Sequence, residues 1–372
     1  MKNSNPDFNQ QDHYFMGLAL NLARRGIGRV APNPSVGCVL VRSGHIIGRG
    51  WTADGGRPHA ETIAIKNAGD ASGATAYVTL EPCAHYGETP PCAEAMVKAG
   101  VAKVVIATGD PDERVAGKGI DILKKAGVDV STGLMKEEAD QINQGFFKKV
   151  TVQQPLVTVK LATSSDGKIA KVEGEQYWVT GQEARARGHL YRVSHDAIMV
   201  GINTVLADDP SLDCRLSGLN GHSPIRIILD SELKLPVVSK LSQSAQDIPV
   251  WVMTVSNDQE KISTLEELGV KIFQIQKNDQ NQPDISEVLR VLAQNGITRL
   301  LSEGGAKVNA SLVKNGLVDR IIWFKSAESI GENGVNALYD IPIDEIDQYL
   351  DLSLIENGVA GADHWQEFMV KR

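Results

Sequence analysis

The chain has 372 residues, a formal net charge of −8, 42% hydrophobic and 23% charged residues. That length and balance fit an ordinary globular protein of about two domains, and the acidic excess argues against a general nucleic-acid binder. Its apolar runs, such as Val101 to Ala107, are strand length and far short of the roughly 20 residues of a membrane span. The polar start MKNSNPDFNQQDHYF has no signal-peptide core, and four cysteines are too few for a disulfide scaffold, so a cytoplasmic protein is expected.

In chain order, residues 13–25 read as an amphipathic helix stopped by Gly26, and CVLVRSGHIIGRGW reads as a hairpin turning at Ser43-Gly44. A helix over 59–68, a strand over 74–80, a helix starting near Cys92 and a strand over 103–108 follow. GKGIDILKKAG, VDVSTG and KEEADQINQGFFKKV then read as helix, strand and helix. This alternation predicts a mixed or parallel sheet flanked by helices. The polar TVQQP places a boundary there, giving domains over 1–150 and 151–372. The second series begins with the strand PLVTVKLATS and a helix over 182–193. Strands DAIMVG, PIRIILD, VWVMT and VKIFQI follow, then a helix over 285–294, RLLSEGG, a helix from Ala306 and VDRIIWFKS. It predicts a doubly wound sheet of the nucleotide-binding type.

Three zinc-type donors stand within 34 residues, each after a proline: His59, Cys83 and Cys92. Three N/S ligands with one open position describe a catalytic zinc, whereas a structural zinc takes a fourth protein ligand. His85 is the one nearby candidate for that role. Glu61, two residues after His59, is placed to handle the proton of a water activated by the metal. The prolines are expected to set His59 and Cys92 near helix N-termini, whose positive dipole ends favour thiolates. Cys38, on an apolar strand, reads as a core residue. The zinc deaminases carry H-x-E and P-C-x-x-C. Here the second cysteine comes nine positions after the first, and AHYGETPP must loop out between them.

PNPSVG (32–37), HAE (59–61), TLEPCAHYGETPPC (79–92) and DPDERVAGKG (110–119) together resemble the bifunctional deaminase/reductase family of riboflavin biosynthesis. The resemblance covers about residues 12–145. KLATSSDGKIA (160–170), TVLADDPSLDCR (204–215), RIILDS (226–231) and SEGGAKVNASL (302–312) extend it over about 155–325. It implies a cytidine-deaminase-like three-layer domain followed by a dihydrofolate-reductase-like α/β domain using NADPH. The implied substrate is a phosphoribosyl pyrimidine: diaminohydroxyphosphoribosylaminopyrimidine is deaminated and its ribosyl chain then reduced. A homo-oligomer without nucleic-acid or membrane partners is implied as well.

By that resemblance Asn33 binds the pyrimidine, its amide donating and accepting at a base edge. Read alone, Asn33-Pro34 is an ordinary turn. Ala162, Trp178, Thr204, Asp208, Ser231, Gly305, Ala306, Lys307, Val308, Asn309, Ala310 and Ser311 line the cofactor. Lys160, Gln176, Arg192, Leu212, Arg215 and Glu303 hold substrate, and two arginines suit a phosphate. Without the motif, Arg192 and Arg215 read as solvated surface charges, and Lys160 as a strand-end lysine. The chain departs from the family at Thr52, where histidine is usual, at Ser165 for leucine and at Gln176 for serine. Two other readings share these residues: a nucleic-acid or nucleoside zinc deaminase with an accessory nucleotide-binding domain, and a non-catalytic, metal-stabilised binding protein.

Overall fold

A computed structural model describes residues 8–87, 90–172 and 177–371. The chain divides into two compact units, Met1–Gln153 and Gln154–Arg372.

Unit 1 runs α1 (Gln10–Ala23), β1 (Gly37–Arg42), β2 (His45–Trp51), α2 (Ala60–Ala68), β3 (Thr75–Leu80), α3 (Cys92–Lys98), β4 (Lys103–Thr108), α4 (Lys118–Lys125), β5 (Asp129–Thr132) and α5 (Lys136–Val152). Helix α1 begins three residues earlier than its apolar pattern indicates, because Asn9 and Asp12 form a reciprocal capping box. The sheet order is β2-β1-β3-β4-β5. The β1–β2 and β1–β3 pairs are antiparallel, and β3–β4 and β4–β5 parallel. Apolar residues alternate across the strands and feed two cores. Cys38, Leu40, Val78 and Ile106 pack under α2, α3 and α4. Val39, Val41, Tyr77 and Val105 pack under α1 and α5. Each fully buried large side chain contributes roughly 1.5–3 kcal/mol. The result is three layers, and the strands β3 and β4 end on one edge.

One close approach fixes α2 on the edge strand β2. A Cβ on Gly50 would stand 2.4 Å from the Ala60 carbonyl oxygen and 2.8 Å from the Ala64 nitrogen. Only glycine lets the first turn of α2 sit this close.

Unit 2 runs β6 (Leu156–Thr163), β7 (Lys168–Ala170), α6 (Gln182–Val193), β8 (Ala197–Gly201), α7 (Ile202–Asp208), β9 (Ile225–Leu229), α8 (Lys240–Gln243), β10 (Val250–Thr254), α9 (Gln259–Glu267), β11 (Lys271–Gln274), α10 (Ile285–Gln294), β12 (Arg299–Ser302), α11 (Ala306–Lys314), β13 (Arg320–Lys325), β14 (Val335–Asn336), β15 (Leu352–Ala360) and β16 (Asp363–Val370). The main sheet has the order β11-β10-β9-β8-β12-β6-β13-β16-β15. Seven strands from β11 to β13 are parallel, and β16 and β15 close one edge antiparallel. Helices α10 and α11 cover one face and α7, α8 and α9 the other, so the sheet is doubly wound. After the neighbouring strands β8 and β12 the chain leaves to opposite faces, which makes their carboxyl ends a switch point, the place where such sheets bind ligands. The hairpin β15–β16 lies beyond the last strand expected from the sequence. Its first strand carries Glu356-Asn357-Gly358 and exposes most of its side chains, so it lacks the alternation that marks a half-buried strand.

The Gly50 contact is testable. Gly50→Ala should destabilise unit 1 by about 1–3 kcal/mol, the usual cost of overpacking. Urea denaturation followed through unit 1 checks it, and unchanged stability would mean that α2 can move away without loss.

Candidate functional site

In unit 1, His59 is the N-cap of α2 and Cys92 the first residue of α3, while Cys83 lies in the extended segment after β3. Both helix starts therefore aim at one point, as the prolines suggested. The Cys92 backbone N–H donates to Cys83 Sγ at 3.2 Å, and the Ala93 N–H donates to the Cys83 carbonyl at 3.3 Å. Two N–H groups that α3 cannot use internally are thus spent on Cys83. His59 Nδ1 lies 3.3 Å from Cys92 Sγ and 3.6 Å from Cys83 Sγ. All three donor atoms fall within 4.8 Å of one another.

The electrostatics match that crowding. Hydrogen bonding from Cys92, then from His59, holds the Cys83 thiol down to about 4 against the opposing effect of burial. Cys92 is pushed up by donating to Cys83 and by burial. A cation bound at this point would hold both as thiolates. One imidazole and two thiols at this separation fit zinc. Among the described residues no other His, Cys, Asp or Glu joins the group. His85 stands outside it, its Nδ1 buried without a hydrogen-bond partner. Glu61 is in the first turn of α2 and 3% exposed. Burial, then the Cys83 thiolate, pushes its carboxyl up to about 7.

Glu81, in the same motif, has a role the sequence did not reveal. Its carboxylate accepts from the N–H groups of Gly117, Gly119 and Ile120 at 3.0–3.3 Å. It caps α4 and anchors the strand end that leads to Cys83.

Asn33 precedes β1, and its amide is walled by Gly56, which has φ +88° and where a Cβ would fall 2.0 Å from Asn33 Nδ2. The PNPSVG turn is pinned from three sides. Asn143 of α5 accepts from the Ser35 N–H at 2.8 Å and donates to the Ser35 carbonyl at 3.0 Å. Thr79 Oγ1 accepts from the Gly37 N–H at 3.0 Å. Thr52 Oγ1 accepts from the Val36 N–H at 3.0 Å and donates to the Pro34 carbonyl at 3.2 Å. Thr52, at the position where the resembling family has histidine, is thus a buried brace.

In unit 2, Ala162, Thr204, Ser231 and Gly305 stand at or just past the carboxyl ends of β6, β8, β9 and β12, which are consecutive in the sheet. Gly305 is the N-cap of α11, and a Cβ there would stand 3.2 Å from Thr204 Oγ1. This bare backbone at a helix start fits the phosphates of a dinucleotide. Asn309 is buried and ties the turn, accepting from Ser302 Oγ and donating to the Gly304 carbonyl. Ala306 and Ala310 are buried, and Val308 packs against the core. Ser311 is in the second turn of α11, and Lys307 lies over the Tyr339 ring. Asp208 ends α7, its carboxyl raised by burial. Trp178 is exposed, with Arg185 4.9 Å over its ring.

Arg192, Glu303 and Lys160 converge on that edge. Arg192 makes a two-pronged pair with Glu303, at 2.8 and 3.0 Å, and Lys160 Nζ lies 3.8 Å from the same carboxylate. Burial alone would raise Glu303, but Arg192 and then Lys160 hold it down to about 2. Arg192 also donates to the Asp213 carbonyl at 2.8 Å, and Arg215 pairs with the Asp213 carboxylate at 3.4 Å. Leu212 is 4% exposed and packs in the core under α7, with its backbone held at φ +53°. Gln176 lies outside the described residues.

Residues 9–108 match the cytidine and deoxycytidylate deaminase zinc-binding region, and residues 155–356 match the RibD C-terminal domain. The riboflavin biosynthesis protein RibD of Actinobacillus pleuropneumoniae is 40% identical over 358 residues, 96% of this chain and 94% of that one. The chain belongs to the RibD family. Among solved structures, RibD of Acinetobacter baumannii has a TM-score of 0.88 at 39% identity, covering 98% of this chain and 99% of that one. A diaminohydroxyphosphoribosylaminopyrimidine deaminase/5-amino-6-(5-phosphoribosylamino)uracil reductase from Thermotoga maritima has a TM-score of 0.84 at 32% identity, covering 97% and 99%. The RibD family fold, a cytidine-deaminase-like three-layer domain followed by a dihydrofolate-reductase-like α/β domain, is the one the motifs implied.

Thr52→Val should cost about 1–3 kcal/mol, since it leaves the buried Val36 N–H unpaired. Thr52→Ser should restore most of it. Denaturant titration of the two variants checks the brace, and equal stability of the valine variant would remove it.

Proposed function

We infer that this chain performs two successive steps of riboflavin biosynthesis. It deaminates diaminohydroxyphosphoribosylaminopyrimidine hydrolytically with zinc, then reduces the ribosyl chain of 5-amino-6-(5-phosphoribosylamino)uracil to ribityl with NADPH. The deaminase is assigned to residues 1–150 and the reductase to 151–372. The observation that carries the reading is the coexistence, on one chain, of a three-donor centre beside a buried carboxylate and a separate strand edge bearing Lys160, Arg192 and Glu303.

For the first step, zinc on His59, Cys83 and Cys92 supplies the Lewis acidity that brings the pKa of water near 7. Asn33 holds the pyrimidine edge. Glu61, buried in the first turn of α2 and outside the three-donor group, takes a proton from the attacking water. It returns protons to the ring nitrogen and to the departing ammonia. For the second, NADPH supplies a hydride to the anomeric carbon. Gly305 to Ser311, with Ala162, Trp178, Thr204, Asp208 and Ser231, hold the cofactor. Lys160 gives a proton to the ring oxygen as its bond to that carbon breaks. Arg192 and Arg215 hold the phosphate, with Glu303, Gln176 and the Leu212 backbone completing the substrate site.

The substrate is a small molecule, and no helix among the described residues is long and apolar enough to cross a membrane. We further propose a cytoplasmic homo-oligomer with no nucleic-acid partner. The net charge of −8 and four free cysteines support the absence of nucleic acid and a reducing compartment, and family resemblance supports the oligomer.

Two variants separate the centres. Glu61→Gln should keep its zinc and its NADPH oxidation on the deaminated nucleotide, while ammonia release falls by roughly 10²–10⁴-fold, the usual worth of a general acid–base group. Near-wild-type turnover would exclude Glu61 from proton transfer. Lys160→Gln should do the reverse, lowering the kcat of NADPH oxidation by a similar roughly 10²–10⁴-fold with ammonia release intact. Steady-state assays of each step and metal analysis read both.

A further inference from the structure

Unit 1 holds a second concavity that the deamination chemistry does not use. Arg25, Arg29, Trp51, Ala53, Asp54 and Ile63 line a cavity of about 540 Å³, within the roughly 300–1,000 Å³ of small-molecule sites. The zinc donors, Glu61 and Asn33 are not among its lining residues. The Arg25 guanidinium lies 4.9 Å over the Trp51 ring, a stacking that fixes its plane and leaves its edge N–H donors available. Neither Arg25 nor Arg29 has a carboxylate partner among the ion pairs of the described residues, in contrast to Arg42 with Asp70 and Arg114 with Asp112. Two guanidinium groups on one cavity wall suit an anion, which each can bind through paired N–H donors. Asp54 on the same wall leaves the trio a net positive charge and adds an acceptor for hydroxyl groups, the way acidic residues hold a ribose.

We propose that this cavity binds a ribose 5-phosphate group, with its phosphate on Arg25 and Arg29 and its hydroxyls on Asp54. The group has two possible sources: the tail of the pyrimidine nucleotide, which rests on the deaminase reading above, or a separate nucleotide acting as effector. Either would be felt at the pyrimidine site. The Gly55 N–H donates to the Arg29 carbonyl at 2.8 Å, and the next residue, Gly56, is the wall against the Asn33 amide.

Calorimetric titration of ribose 5-phosphate into the zinc-loaded full chain tests the site, with Arg25→Gln/Arg29→Gln as the comparison. Beyond any binding at Arg192 and Arg215, which both proteins share, the wild type should show a second saturable component that weakens with salt and drops at least tenfold in affinity in the double variant. No such component at millimolar ligand, or one that the double variant retains, overturns the proposal. Asp54→Asn, at an exposed position, is a second check in case the double variant folds poorly. It should bind inorganic phosphate at least as tightly as the wild type while ribose 5-phosphate loses its advantage over inorganic phosphate. If that advantage persists, Asp54 does not hold the ribose. Initial rates of ammonia release then distinguish the sources: competitive inhibition by ribose 5-phosphate assigns the cavity to the substrate's tail, and a changed kcat at saturating substrate assigns it to a separate nucleotide. A wild-type chain that releases no ammonia sinks the deaminase reading, while the calorimetric result still decides the cavity.

Discussion

The first centre depends on one constraint: an imidazole nitrogen and two sulfurs must share a volume less than 5 Å across, with no fourth His, Cys, Asp or Glu among the described residues. Such a cluster is unfavourable unless the thiols can shed their protons. The fold meets the demand with backbone. The start of α3 gives two N–H groups to Cys83, α2 presents His59 at its cap, and Glu81 ties the intervening strand end to α4. A zinc ion held by these three residues would keep one position open for water, with the buried Glu61 carboxylate in the first turn of α2.

The second centre applies the same economy to a different fold. Glu303 is buried, and its charge is tolerable only because Arg192 grips it with two hydrogen bonds and Lys160 stands nearby. These three side chains come from a helix, a strand and a strand end that meet only when β12 lies beside β6. They stand next to the bare start of α11, Gly305 following Glu303 by two residues. The two units have separate cores, which is how one chain can carry two unrelated chemistries.

The zinc donors were legible in the sequence because metal ligation restricts residue type and because each donor follows a proline within a short span. The strand–helix alternation was legible because strands such as β4, β8 and β10 are short, nearly continuous apolar runs. Contacts between distant residues were not. Asn143 braces Ser35 across 108 positions and Arg192 reaches Glu303 across 111, and no local pattern marks either. Thr52 read as a departure from the family because its identity alone could not show that its hydroxyl bridges Val36 and Pro34. Leu212 is expected from its motif as a substrate contact, and the burial of its side chain in the core is set by distant residues that the motif does not contain. The hairpin β15–β16 went unseen because β15 is an edge strand with exposed positions on both faces.

The central claim is that one chain carries both reactions in sequence. Zinc-loaded full-length protein supplied with diaminohydroxyphosphoribosylaminopyrimidine and NADPH measures it directly, with ammonia and NADPH followed together. Ammonia should be released first, and then one NADPH oxidised per ammonia released. NADPH consumption without prior ammonia, or neither signal, would contradict it.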